Sequence, residues 1–260
     1  MDASDETIIT LYNIILDPAA WPTGPNPWKA RPQTYLIPYR TIWVPLSEVG
    51  ATRNFLGLPA VRKHQDGSPF PTLPIVRVPY VLHRGDEKGD ALLGDSFDIA
   101  VHLSKYMDLK LFPGEEGGPV AMHRAFNSFV DQLFSQYGVP LAGFYMPLDP
   151  RTAESNKAVI LQRFPEKEDG TARKWEDFEV PPGSALRAKM LAEFEGALDE
   201  KLAPCFPGSG GDRLDDGFMR GCLPEWEELR DKWSGGRLGR LLDGFKEKVD
   251  RREGVVPARH

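Results

Sequence analysis

Cysteine is scarce in this chain of 260 residues: Cys205 and Cys222 stand seventeen positions apart in a Gly/Pro-rich segment, with no second cysteine or histidine pair at zinc-ligand spacing. That excludes a disulfide framework and reads both as free thiols. Histidine is sparse too, five residues scattered along the chain, so no metal site is expected. Basic excess is absent. The formal net charge is -6, which argues against a nucleic-acid partner. No apolar run approaches the roughly 18 to 20 residues that a membrane span requires. The opening MDASDETIIT is acidic and lacks the positive start and apolar core of a signal peptide, so a cytoplasmic protein is expected. No internal repeat is visible. What remains is an ordinary globular composition, 41% apolar and 27% charged, long enough for two modest domains that each bury a core.

The two halves differ in rhythm. IITLYNII (8–15) and YRTIWV (39–44) are rich in β-branched and aromatic residues, while PIVRV (74–78) and VLH (81–83) read as a hairpin-like strand pair around Pro79 and Tyr80. A helix is expected from Pro27 to about Tyr35. Another covers 95–107, where Phe97, Ala100, Val101, Ser104 and Met107 share one face. The order is β, α, β, a loop or short helix, β, β, α. From Val120 onward the pattern is helical, over 120–137, 152–164, 184–202, 224–233 and 236–252, with no strong strand candidate. The junction LKLFPGEEGGPV (109–120) has the composition of an exposed interdomain linker. It sets a boundary near residue 114 and domains of 1–113 and 114–260.

Three short stretches stand out. WPTGPNPWKAR (21–31) crowds three prolines before a helix start, with Asn26 as a natural N-cap and Pro27 at the first helical position. In PFPTLPIV, Pro74 opens a strand with no N–H to donate, which fits either an edge strand or a cis Leu73–Pro74 bond. In GDSFDIAVHL, Asp95 and Ser96 open a helix, either as a plain cap or as an anion site at the positive end of the helix dipole.

Taken together, TGPNPWKAR, IPYRTIWV, FPTLPIV and LLGDSFDIAVHL resemble the fungal, etherase-related branch of the cytosolic glutathione transferases. The resemblance covers nearly all of residues 8–112; beyond residue 120 it rests on helical character. It implies an α/β thioredoxin-like N-terminal domain that binds glutathione and an all-α C-terminal domain that completes a pocket for an apolar co-substrate. A cytoplasmic homodimer goes with it. On this reading Ser96 donates to the γ-glutamyl carboxylate and Asp95 holds the amine. A cis Pro74 lets Leu73 offer its N–H and C=O to the cysteinyl backbone, a strand addition by a tripeptide. Among Arg62, Lys63, His64 and Gln65, either Lys63 or His64 is a candidate for the glycyl carboxylate, against the plainer reading of a solvated cluster.

A thiol is only slightly ionised at neutral pH, so a transferase must stabilise the thiolate with a donor or a helix N-terminus. Fungal relatives commonly carry a serine just before the Pro-Asn step; here that position is Gly24. The remaining donors are the Thr23 hydroxyl and N–H, the Gly24 N–H, the Asn26 amide, and the Trp28 and Lys29 N–H groups. Thr23, Gly24 and Asn26 are therefore the catalytic candidates, with cap-only the competing role for Asn26. Pro32 keeps the following helix short. Tyr12, Trp21, Trp28, His123, Phe126 and Asn127 are candidates for the co-substrate pocket, beside Val130 on the same helix face; core packing is the alternative for the aromatics.

The resemblance implies addition or elimination of glutathione at a bulky apolar electrophile, including a tailoring step on a fungal secondary metabolite. Two alternatives are a glutathione-dependent cis-trans isomerase working by reversible thiol addition, and a non-catalytic protein that binds glutathione or a metabolite, which the Gly24 departure favours. A scaffold that binds no glutathione is disfavoured by the intact Leu73-Pro74 and Asp95-Ser96 pairs.

Overall fold

The computed structural model of the chain describes residues 8–17, 39–64, 66–83, 89–106, 118–164, 166–167 and 169–201. The expected helix over 27–35, the segment with Trp21, Thr23, Gly24, Asn26, Trp28 and Pro32, residue Gln65, the junction up to residue 117, both cysteines and the last two expected helices lie outside the described residues. Two compact units are present. The first takes in the described residues between 8 and 17, 39 and 127, and 147 and 175; the second those between 128 and 146 and between 176 and 201.

The first unit is built on a four-stranded sheet. Its strands are β1 (Ile9–Ile15), β2 (Tyr39–Pro45), β5 (Ile75–Val78) and β6 (Ala91–Leu93), in the order β2-β1-β5-β6. β2 runs parallel to β1, with Ile9 opposite Tyr39, while β5 runs antiparallel to both β1 and β6. Consecutive strand residues point to opposite faces, so the burial of Ile9, Thr10 and Leu11 in succession, and of Ile75 and Val76, means that both faces are covered. Helix α1 (Val49–Phe55) lies against β2. A two-stranded ladder of β3 (Arg62–Lys63) and β4 (Pro69–Phe70) follows.

The expected strand at 81–83 is a correction. Tyr80–His83 forms a single helical turn, α2, and the strand that pairs with β5 is Ala91–Leu93. Asp90 decides this: its carboxylate accepts from the Tyr80 N–H at 3.1 Å and from Arg77 Nε at 2.7 Å, pinning the end of β5 to the start of β6. Leu82 N–H then donates to the Pro79 carbonyl, which closes a turn where a hairpin ladder would need extended backbone.

Helix α3 (Ser96–Tyr106) matches the expected helix and packs on β5. Helix α4 (Gly118–Leu133) begins inside the expected linker, so 118–120 are helical. It ends four residues before Tyr137: Phe134–Gly138 forms a widened π turn, and Pro140 just beyond it has no N–H to continue the ladder of hydrogen bonds. After the short α5 (Val139–Ala142) comes α6 (Ala153–Arg163), part of the first unit and tied to the segment that follows β2 by a buried amide. Asn156 is fully buried; its Oδ1 accepts from the Ser47 N–H at 3.1 Å and its Nδ2 donates to the Thr152 hydroxyl at 3.1 Å.

In the second unit, α7 (Ala185–Lys201) buries Phe194 against Phe134, edge-on at 5.4 Å, and against Tyr137, stacked at 5.8 Å. Arg187, buried on the same helix, donates from Nη1 to the carbonyls of Leu141 and Val180. Gly143 is pressed on Phe178 so closely that a Cβ there would lie 2.6 Å from the Phe178 Cβ.

Candidate functional site

Strand direction brings the separate motifs together. Because β5 is antiparallel to β1 and β6, the start of β5 lies toward the ends of the other two; Ile75 pairs with Tyr12, the middle of β1, and Val76 with Leu93, the last residue of β6. One edge of the sheet therefore gathers the end of β1, the Leu73–Pro74 step before β5, and Gly94-Asp95-Ser96 after β6. The Leu73–Pro74 bond is cis, the isomer that the resemblance implies. Leu73 stands two residues beyond the last ladder pair with β1, half-buried, while Pro74 is buried.

Asp95 caps α3. Its Oδ1 accepts from the Phe97 N–H at 2.9 Å and, more weakly, from the Asp98 N–H at 3.4 Å, and its carbonyl accepts the Ile99 N–H. Ser96 is the first helical residue and takes no part in that cap. The plain capping role thus falls to Asp95 Oδ1, and the cap leaves Asp95 Oδ2 and the Ser96 hydroxyl unused. Asp98 in the first turn pairs with Arg124 of α4, whose guanidinium also lies 4.5 Å over the Phe97 ring. That contact sets the N-terminal part of α4 against the start of α3.

Beneath this edge lies Arg53, which sequence reasoning missed. It is 1% exposed. Its Nη1 donates to the Thr72 carbonyl at 2.7 Å and to the Gly94 carbonyl at 2.9 Å, and its Nη2 donates to the Pro59 carbonyl at 2.6 Å. Burial lowers its pKa from the usual guanidinium value, and the nearby Asp95 charge opposes that shift. A signal was available: Arg53 follows the buried Val49 by four positions, which puts it on the inward face of α1.

The other predicted residues are placed as follows. Lys63, in β3 opposite Pro69, is exposed. His64 is half-buried, with its ring 4.7 Å from Phe70, and its backbone closes the β3–β4 turn with Ser68 and Gly67. Arg163 of α6 lies 4.5 Å over the same Phe70 ring. His64 therefore has a packing job in the hairpin, while Lys63 extends into solvent. Tyr12 sits half-buried on the central strand; His123, Phe126, Asn127 and Val130 are half-buried on α4, whereas Met122 and Ala125 are exposed. Asn13, next to Tyr12, is buried with Oδ1 on the Ile14 N–H, and its Nδ2 has no hydrogen-bond partner among the described residues.

Among the described residues no group of three or more His, Cys, Asp or Glu could hold a metal ion, and no helix is long and apolar enough to cross a membrane.

No protein-family model and no curated protein sequence matches the chain. Solved structures do. A glutathione S-transferase of Ceriporiopsis subvermispora in complex with glutathione is similar over 97% of this chain and 100% of its own, at 24% identity and a TM-score of 0.69. A second from the same fungus, also with glutathione, covers 92% and 98% at 20% identity and a TM-score of 0.68. A glutathione transferase of Phanerochaete chrysosporium covers 93% and 97% at 22% identity and a TM-score of 0.61. With the mixed four-stranded sheet, the cis step before β5 and the helices that follow, these likenesses identify the fold of this chain as that of the glutathione transferases.

Proposed function

We propose that the chain is a glutathione-dependent enzyme that adds glutathione to, or eliminates it from, an electrophilic carbon of a bulky apolar molecule. The observation that carries this reading is the meeting of the Leu73–Pro74 step and the Asp95–Ser96 helix start at one end of the sheet. A γ-glutamyl tripeptide has a carboxylate and an ammonium at one end and an extended backbone in the middle. The start of α3, at the positive end of the helix dipole and with the Ser96 hydroxyl outside the cap, suits the carboxylate. Asp95 Oδ2, outside the cap, suits the ammonium. Leu73, beyond the ladder, suits the backbone. The glutathione held by both Ceriporiopsis relatives supports glutathione as the ligand.

Thiol activation falls in this reading to the Thr23, Gly24 and Asn26 stretch, which follows β1 in sequence, and β1 ends at the edge described above. The glutathione-binding domain spans 1–113 and the helical domain 114–260, with Tyr12, Trp21, Trp28, His123, Phe126 and Asn127 toward the co-substrate and Lys63 near the glycyl end. The protein works as a cytoplasmic homodimer, its electrophile a secondary metabolite. Gly24 in the family's serine position favours a second reading, in which the site binds glutathione without activating it or activates it only enough for reversible isomerisation.

Two measurements test this. Retention on immobilised glutathione is expected, and its failure overturns both readings. Ultraviolet titration of the bound thiol is expected to give a pKa well below that of free glutathione; an unchanged pKa with normal retention leaves the binding protein.

A further inference from the structure

A guanidinium sealed from water is a costly choice for packing alone, since an apolar side chain of similar volume is often as stable or more so. Arg53 differs from a filler in what it reaches. Its planar fork ties together three segments far apart in sequence: the Pro59 loop, the residue before Leu73 and the residue before Asp95.

Peptide planarity turns those bonds into orientation. The Thr72 carbonyl belongs to the same rigid unit as the Leu73 N–H, and the Gly94 carbonyl to the same unit as the Asp95 N–H. Holding each oxygen fixes the direction of the N–H on its far side. One Nη1 atom holds both oxygens, at 2.7 and 2.9 Å, so the two site segments share a single reference point. Gly94 is the complement of that arrangement, because a Cβ at this position would lie 2.6 Å from Arg53 Nη2 and 2.9 Å from Nη1.

We propose that Arg53 is a positioning residue of the glutathione site: it aligns the Leu73 peptide and the Asp95–Ser96 helix start to each other, and Gly94 is glycine to admit it. The inference rests on the function proposed above. The guanidinium acts through the peptides it holds and touches no substrate atom.

The test uses the full chain with Arg53→Lys, Arg53→Met and Gly94→Ala. The last keeps the arginine and displaces it, so it serves if a substitution at 53 does not fold. Amide hydrogen exchange is measured without ligand, and glutathione affinity by calorimetry. Faster exchange is expected at Leu73 and at Asp95 to Phe97, beyond any change in Ile75–Val78, with glutathione Kd raised about tenfold or more. Arg53→Lys, which keeps the charge and loses the fork, is expected to fall between wild type and Arg53→Met. Folded variants with wild-type exchange at these amides and wild-type Kd overturn the proposal, as does a uniform rise in exchange over the whole sheet with Kd unchanged. If the wild-type chain itself does not bind glutathione, the functional reading fails, and the exchange pattern alone then upholds or overturns the positioning role.

Discussion

Replacing Ser96 and Asp95 one at a time separates ligand binding from helix capping, because the structure divides the two jobs between different atoms. Asp95 Oδ1 satisfies the N–H groups of Phe97 and Asp98, and the Ser96 hydroxyl has no share in it. Ser96→Ala should therefore leave α3 intact and shift Tm by no more than about 1 °C, since a change at this half-buried position that removes no capping bond costs only a few tenths of a kcal/mol. If Ser96 donates to a bound carboxylate, its loss removes a charge-assisted hydrogen bond of about 1.5–3 kcal/mol, or roughly 10- to 150-fold in Kd. Asp95→Ala loses the cap as well, about 1 kcal/mol of stability and so about 2–4 °C. Asp95→Asn keeps a capping oxygen and should hold Tm near wild type while weakening glutathione. Calorimetric melting without ligand and titration with glutathione read both quantities on each variant. Unchanged affinity in Ser96→Ala would refute the anion site, and a Tm drop equal to that of Asp95→Ala would refute the division of labour.

Asn156→Ala removes both hydrogen bonds of a buried amide, one of them joining residues 109 apart in sequence, and leaves a small void; a loss of about 3 kcal/mol is expected. Urea unfolding measures it, and a loss under about 1 kcal/mol contradicts the anchoring role of α6. Asp149 is buried at 6% exposure, and hydrogen bonds from the Arg151 side chain and then its backbone N–H hold its carboxyl below the usual carboxylate range. A depressed folded pKa means that its contribution is complete above the unfolded value of about 3.9 and fades as pH falls through the folded value. The urea midpoint of the wild type should thus drop more steeply below about pH 4 than that of Asp149→Asn; parallel curves would count against the ion pair.

Local signals in the sequence proved readable where a few neighbouring residues settle the outcome. β1 and β2 follow from runs of β-branched and aromatic residues, α3 and α6 from apolar spacing, and the cis step from the TLP motif with its resemblance. Ala91–Leu93 was hidden because three residues of helix-favouring type carry no alternation, and they become a strand only through Asp90 and the free edge of β5. Val81-Leu82-His83 misled for the opposite reason: β-like composition lost to the Pro79 turn. The spacing from Val49 marks Arg53 as inward-facing but not as a site residue, since its three acceptors are backbone carbonyls, whose positions no side-chain pattern records. The second unit was legible as helices, but not at the turn over Phe134–Gly138.

Arg53 and Gly94 lie 41 residues apart, and the guanidinium as placed leaves no room for a side chain at 94. A lineage that gained a side chain at 94 while keeping arginine at 53 would pass through a clash, and one that lost the arginine first would hold an emptied pocket behind its two motifs. The pair should therefore change together. Related chains that keep arginine at 53 should keep glycine at 94, and a side chain at 94 should be found only where the arginine is gone.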